Sequence, residues 1–242
     1  MSPQSSTPPK LRRPPIWKRE EANVLRGRKF FLLFLFLLSL LILYPTAQIH
    51  PAFYLMFRTL GAGVTLVSVY ALSLRRSLLG FVLLLSIPAI TERILVPRVT
   101  DGFLSVLNVT LSFVFDVFVI VVIFRRVFSN VRPNSETIFG ALCIYLLVGF
   151  SFASLFAMIA TITPQAFYLD PQLNPHTVAD RFDFIYYSFG TLTSLGAPGI
   201  TAVSAHARSL TAIESILGIL YLAVSISRLV GAYRIAPPAD AN

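Results

Sequence analysis

The chain has 242 residues, 55% of them hydrophobic and only 13% charged, with a mean hydropathy of +0.74. Soluble domains carry about 25% charged residues, so composition excludes an ordinary water-soluble enzyme and predicts an integral membrane protein. The formal net charge is +9, but eight of the 20 Lys and Arg residues precede the first apolar segment, where they set topology and touch anionic headgroups instead of marking a nucleic-acid binder.

Residues 1–29 form a basic tail. Met1 to Pro15 is rich in Ser and Pro and reads as disordered, while Ile16 to Arg28 reads as a short interfacial helix. Six candidate spans follow: Phe30 to Tyr44, closed by Pro45; Ala52 to Leu74; Ser77 to about Val96; Gly102 to Phe124; one within the charge-free stretch Thr137 to Leu169; and about Arg208 to Tyr233. A basic region before an apolar core also describes a signal peptide, but the basic region is 29 residues long and no small-x-small cleavage site follows Tyr44.

Lys and Arg placement sets the orientation. With the N-terminus inside, fifteen basic residues face the cytoplasm and four (Arg93, Arg98, Arg181, Arg208) face outward, leaving Arg58 inside a span. Six crossings return the C-terminus to the cytoplasm. The fourth segment has Asp116 but none of the regularly spaced cations that a voltage sensor needs. Arg58 is the obvious counter-ion for Asp116, yet the two differ in depth by ~12 Å at the helical rise. Cys143 is the single cysteine and packs as a small hydrophobe within an apolar segment. His50, His176 and His206 lack zinc-ligand spacing, and no phosphate loop, nucleophile elbow or paired-carboxylate signature is present. Neither an enzyme nor a cofactor is expected.

The stretch Asp183 to Gly199, DFIYYSFGTLTSLGAPG, reads as an amphipathic half-helix running into a backbone-rich turn. Irregular backbone at membrane depth survives only when protein buries it or when it lines a water-filled cavity. The stretch resembles the pore region of tetrameric potassium-type cation channels, whose filter reads TxTTVGYGD. The resemblance covers roughly Thr137 to Tyr233 and implies an outer helix, a pore helix, a filter and an inner helix. It places Thr193 and Ser194 at the paired threonines and Leu195 and Gly196 at Val-Gly, with Thr191 as filter support. Ala197, Pro198 and Gly199 then replace the family's aromatic, second glycine and carboxylate. Pro198 fixes φ near about −65° where the family uses a glycine with positive φ, so the outer ion sites of a potassium filter are not expected to form. On the sixth segment, the resemblance implies a gating bend at Gly218, with close helix packing as the alternative. Glu214 is expected to hydrogen-bond behind the filter instead of facing lipid.

The expected fold is an all-α polytopic membrane protein with six transmembrane helices and a re-entrant pore helix and loop between the fifth and sixth. Residues 1–29 form the tail, 30–126 a four-helix portion and 127–242 the pore module. The implied function is passive transport of a monovalent cation such as potassium by a homotetramer in a bacterial inner membrane, both termini being cytoplasmic. The expected partners are the bilayer itself and anionic headgroups at the basic tail. A non-conducting subunit with the channel fold and a small transporter are the alternatives.

Overall fold

Long runs of Leu, Ile, Val and Phe can satisfy their own backbone in lipid only as helices or closed barrels, and helices dominate this chain. The computed structural model describes residues 16–49, 51–72, 84, 86–87, 89–90, 103–129, 135–174, 176 and 178–234. In chain order these include α1 (Ile16–Ile49), α2 (Pro51–Leu72), α3 (Phe103–Ser129), α4 (Ser135–Ile162), β1 (Phe167–Leu169), the short α5 (Arg181–Leu192), β2 (Ile200–Ala202) and α6 (Ala205–Arg234). Among the described residues, four stretches are long and apolar enough to cross a membrane: Lys29–Thr46, Ala52–Ala71, Glu136–Ile162 and Ala205–Arg228, within α1, α2, α4 and α6. The helix α3 stands where the fourth segment was expected. Met1 to Pro15 and most of Ser77 to Val96 lie outside the described residues.

Several boundaries differ from the sequence expectation. Pro45 does not end the first helix, and Ile16 to Arg28 is not a separate element, because α1 runs unbroken from Ile16 to Ile49 with Pro45 inside it. Proline at 45 removes the N–H that would bond the Leu41 carbonyl, a loss that helices in a membrane tolerate; beside it Thr46 donates its hydroxyl to the Leu43 carbonyl at 2.7 Å. The expected division after residue 126 falls inside α3, which continues to Ser129. Arg126 there pairs with Glu136 in the first turn of α4 at 2.8 Å, a charge contact without hydrogen-bond geometry. The charge-free stretch ending at Leu169 is not one helix. It stops at Ile162 before Pro164, and its last three residues form β1, which pairs antiparallel with β2 in the register Phe167–Ala202, Tyr168–Thr201 and Leu169–Ile200. A two-residue-period ribbon inside an apolar run is invisible to helical patterning.

Packing follows from the apolar faces. α1 lies against both α2 and α4, and α3 also packs on α4. Leu33 and Leu37, Val64, Phe115 and Val119, and Ile144 and Leu147 bring these four helices into one buried cluster. A second cluster surrounds α5, where Phe156, Phe167, Phe184 and Tyr187 are buried together. Their rings meet edge to face, with Phe156 and Tyr187 centroids 5.1 Å apart and Phe167 and Phe184 5.0 Å apart, the favoured geometry for aromatic pairs. By contrast, only 11% of the apolar window of α6 is buried, against 44% for that of α4. α6 is therefore held along one strip, and most of its apolar surface faces outward.

Cys143 tests the α1–α4 contact directly. Its thiol is fully buried and donates to the Phe30 carbonyl at 3.3 Å. A maleimide should leave the native protein unmodified and label this thiol only after denaturation. Equal labelling rates before and after denaturation would show that α1 and α4 are not packed this way.

Candidate functional site at the C-terminal end of α5

α5 has 12 residues, too short to be stable alone, and it is secured at both ends. Asp180 is the N-cap: its side chain accepts the amides of Phe182 at 2.7 Å and Asp183 at 2.9 Å, while Asp183 accepts the Asp180 amide at 2.7 Å. This reciprocal capping box satisfies N–H groups that the helix leaves open. Phe182 is buried beside Tyr44 of α1 and Tyr54 and Phe57 of α2, with ring centroids 5.3 to 6.4 Å away.

The middle of α5 is tied to both long neighbours through Ser188. Its Oγ lies 2.7 Å from the Gly149 carbonyl oxygen of α4 and 2.5 Å from Oε1 of Glu214 on α6. A hydroxyl has a single proton to donate, so Ser188 cannot serve both oxygens as donor. Both contacts are satisfied when Ser188 donates to the carbonyl and the Glu214 carboxyl supplies the proton between the two side chains. Glu214 is fully buried, and among the described residues its Oε2 has no hydrogen-bond partner. Tyr187 adds a second link to α6 through Thr211 at 2.8 Å.

At the C-terminal end, the Leu192 carbonyl accepts the Tyr145 hydroxyl of α4 at 3.2 Å. The same carbonyl rests on Gly218 of α6, where any Cβ would overlap it. Glycine at 218 is thus required for backbone-to-backbone approach, the packing role that small residues play between membrane helices. Gly190 does the same for the turn. The chain folds back so that the Gly196 amide donates to the Gly190 carbonyl at 3.0 Å, and a Cβ on Gly190 would strike the Gly196 backbone.

Thr191 is buried and its carbonyl accepts the Ser194 amide at 3.0 Å. The side chains of Thr193, Ser194 and Leu195 are exposed, as is the backbone at Gly196, and Leu195 reaches 83% exposure. The Thr193 hydroxyl is turned back to the Phe189 carbonyl at 2.7 Å. Ser194 adopts φ 59°, with Gly196 at 83° and Gly199 at 91°. The left-handed positions therefore fall on either side of Pro198. Ala197 uses its carbonyl for the Ile200 amide at 3.1 Å, and the Gly199 carbonyl accepts the Asp170 amide at 2.9 Å and Asn174 Nδ2 at 2.8 Å. The Ala197 carbonyl thus closes the turn on itself, and the Gly199 carbonyl holds it to the loop after β1.

Thr191, Glu214 and Gly218 thus gather around α5, while Thr193 to Gly199 form the turn that leaves it. Sequence reasoning assigned no role to Ser188, Tyr145, Asp170 or Asn174. Ser188 and Tyr145 were legible only as polar groups in apolar helices, and Asp170 and Asn174 as ordinary loop residues.

A further cluster lies at the other end of α5. His176 Nε2 is 2.7 Å from Asp183 Oδ2, and one ligand atom each from His176, Asp180 and Asp183 falls within 4.8 Å of the others. Both carboxylates already cap the helix, which accounts for the grouping without a metal. No protein-family model, curated protein or solved structure matches the chain.

Two outcomes follow from this geometry. Glu214→Gln keeps a polar group against Ser188 and should lower stability by less than ~1 kcal/mol, whereas Glu214→Ala removes the bond and leaves a void, costing about 2–4 kcal/mol. Thermal unfolding in detergent separates them, and equal losses would show that the carboxyl only fills space.

The hydrogen bond to Asp183 raises the His176 pKa above its ordinary value of 6.5. Its stabilisation is therefore complete below the unfolded-state pKa and is lost as pH rises through the folded-state value. The side chain is 38% exposed, so the effect is small. Stability should decline slightly on alkalisation through that range, and His176→Ala should remove that part of the decline. An identical pH profile in the variant would eliminate the contact as a contributor.

Proposed function

We propose that the chain is one subunit of a homotetrameric cation channel in which α5 is the pore helix and Thr193 to Gly196 face the central axis. The observation that carries this reading is a capped half-length helix, braced by Ser188 and Leu192 against two long apolar helices, that ends in an exposed irregular backbone. Such backbone needs protein or water around it at membrane depth. The outward apolar surface of α6 offers the face against which further copies pack, and four loops around one axis supply the oxygen ligands that each chain contributes only once.

Charge supports a cation. No Lys, Arg, Asp or Glu lies between Asp183 and Arg208, so the available ligands are carbonyl and hydroxyl oxygens, which suit hard cations. The C-terminal end of a helix also carries partial negative charge, and α5 directs that end at the turn. With the Ala197 and Gly199 carbonyls engaged internally, few ordered oxygen rings remain, and discrimination between potassium and sodium is weak. The same spent carbonyls favour a second reading, a non-conducting subunit that keeps the channel architecture.

Planar-bilayer recording of purified protein decides between them. Under opposed potassium, sodium and chloride gradients the expected reversal potential follows both cations and ignores chloride. Native mass spectrometry in mild detergent should find four chains together. A chloride-following current or a stable monomer would overturn the proposal, and a silent tetramer would establish the second reading.

A further inference from the structure

Three oxygens meet between α4, α5 and α6: the Gly149 carbonyl, the Ser188 hydroxyl and Oε1 of Glu214. The carbonyl has no proton and the hydroxyl has one, so two bonds need a second proton, and the carboxyl is its source. Ser188 then donates to Gly149, and the Glu214 Oε1–H donates to Ser188 Oγ. That leaves Oε2 as the carbonyl oxygen of the acid, with no hydrogen-bond partner among the described residues. Glu214 is fully buried, and a buried carboxylate with an open oxygen is far costlier than a neutral acid in the same place. Among the described residues its surroundings offer no cation in exchange. Of the elements packed on α6, α4 presents Tyr145 and α5 presents Tyr187, both phenols, while β2 presents no titratable group. α6 itself has no other charged residue between Arg208 and Arg228.

Removing the proton redistributes these bonds. An ionised carboxyl only accepts, and a hydrogen bond to a charged oxygen is roughly twice as strong as one to a neutral carbonyl. The Ser188 proton therefore turns to Glu214 and leaves the Gly149 carbonyl without it. We propose that Glu214 is a proton-operated latch: protonated, it lets Ser188 bond α4 and α6 together, and ionised, it takes that serine from α4. The bonds from Tyr145 to Leu192 and from Tyr187 to Thr211 do not involve this proton, so the ionised state loosens α5 against α4 without releasing it. The latch works in this way whether or not the chain conducts. Glu214→Gln separates the proton from the shape, because its amide N–H reaches Ser188 at every pH and locks the bridged arrangement.

The test is infrared difference spectroscopy of the full-length protein in detergent, titrated from neutral to alkaline pH, with amide hydrogen exchange measured on the same samples. At neutral pH a protonated-carboxyl C=O band should be present, should disappear on alkalisation and should be missing in Glu214→Gln. Ser188→Ala should move that band to higher frequency, because the acid O–H loses its acceptor, so the assignment does not hang on one variant. Exchange of the α5 amides, corrected for the intrinsic effect of pH, should speed up roughly fivefold as the band disappears, the equivalent of one lost hydrogen bond. In Glu214→Gln it should stay constant. No band at neutral pH, or one unchanged by both substitutions, would show Glu214 ionised there and overturn the proposal. A band that persists to the alkaline limit, or that titrates while α5 exchange holds steady, would make the carboxyl a passive buried acid and overturn the latch.

Discussion

One serine hydroxyl fixes the position and direction of the 12-residue helix α5. Ser188 touches a backbone oxygen of α4 and a carboxyl of α6 at the same time, so α5 cannot slide or rotate without losing bonds to both neighbours. Ser188 and Glu214 are fully buried, so water does not make good those losses. The remaining contacts depend on that placement. The Leu192 carbonyl reaches Tyr145 and the cleft at Gly218, and the turn after it starts from a defined point.

The turn itself is held from its far side. The ribbon of β1 and β2 is only three residues long per strand, yet it closes the loop and brings Asp170 and Asn174 to the Gly199 carbonyl. Irregular backbone is in this way bonded at its outer half to the backbone of Asp170 and the side chain of Asn174, while the part nearest α5 keeps its exposed side chains. A left-handed serine at 194 costs about 1–2 kcal/mol relative to an ordinary conformation, and the bonds on both sides of it keep that conformation in place.

Much of this plan was legible because a span of lipid imposes a length and a polarity that no other environment does. α4 stands out as a charge-free apolar run and α2 and α6 as apolar runs carrying Arg58 and Glu214, and α5 was marked by a single short amphipathic segment between α4 and α6. What escaped were features that depend on one atom meeting another across the fold. Pro45 looks like a stop in sequence, yet the helix runs through it to Ile49. Glu214 was recognisable as too costly to face lipid, but its partner Ser188 lies 26 residues away on another helix. Asp180 and Asp183 carry an N-cap signature, whereas the approach of His176 depends on the path of a loop, which has no periodicity to read.

The attachment of α6 has a mechanical consequence. Its contacts with Ser188, Leu192 and Ala141 fall at Glu214, Gly218 and Tyr221, all within the first two-thirds of the helix. Further along, Arg228 stacks over Phe128 of α3 at 4.6 Å, while Gly231 has open space around it. A rod held most closely along one part of its length can tilt as a lever about the end of that part. From Tyr221, the last of these contacts, to Arg234 the arm is about 20 Å, so a tilt of about 5° would carry its tip roughly 2 Å. Such a tilt leaves the contacts at Glu214 and Gly218 in place and alters the stacking of Arg228 over Phe128.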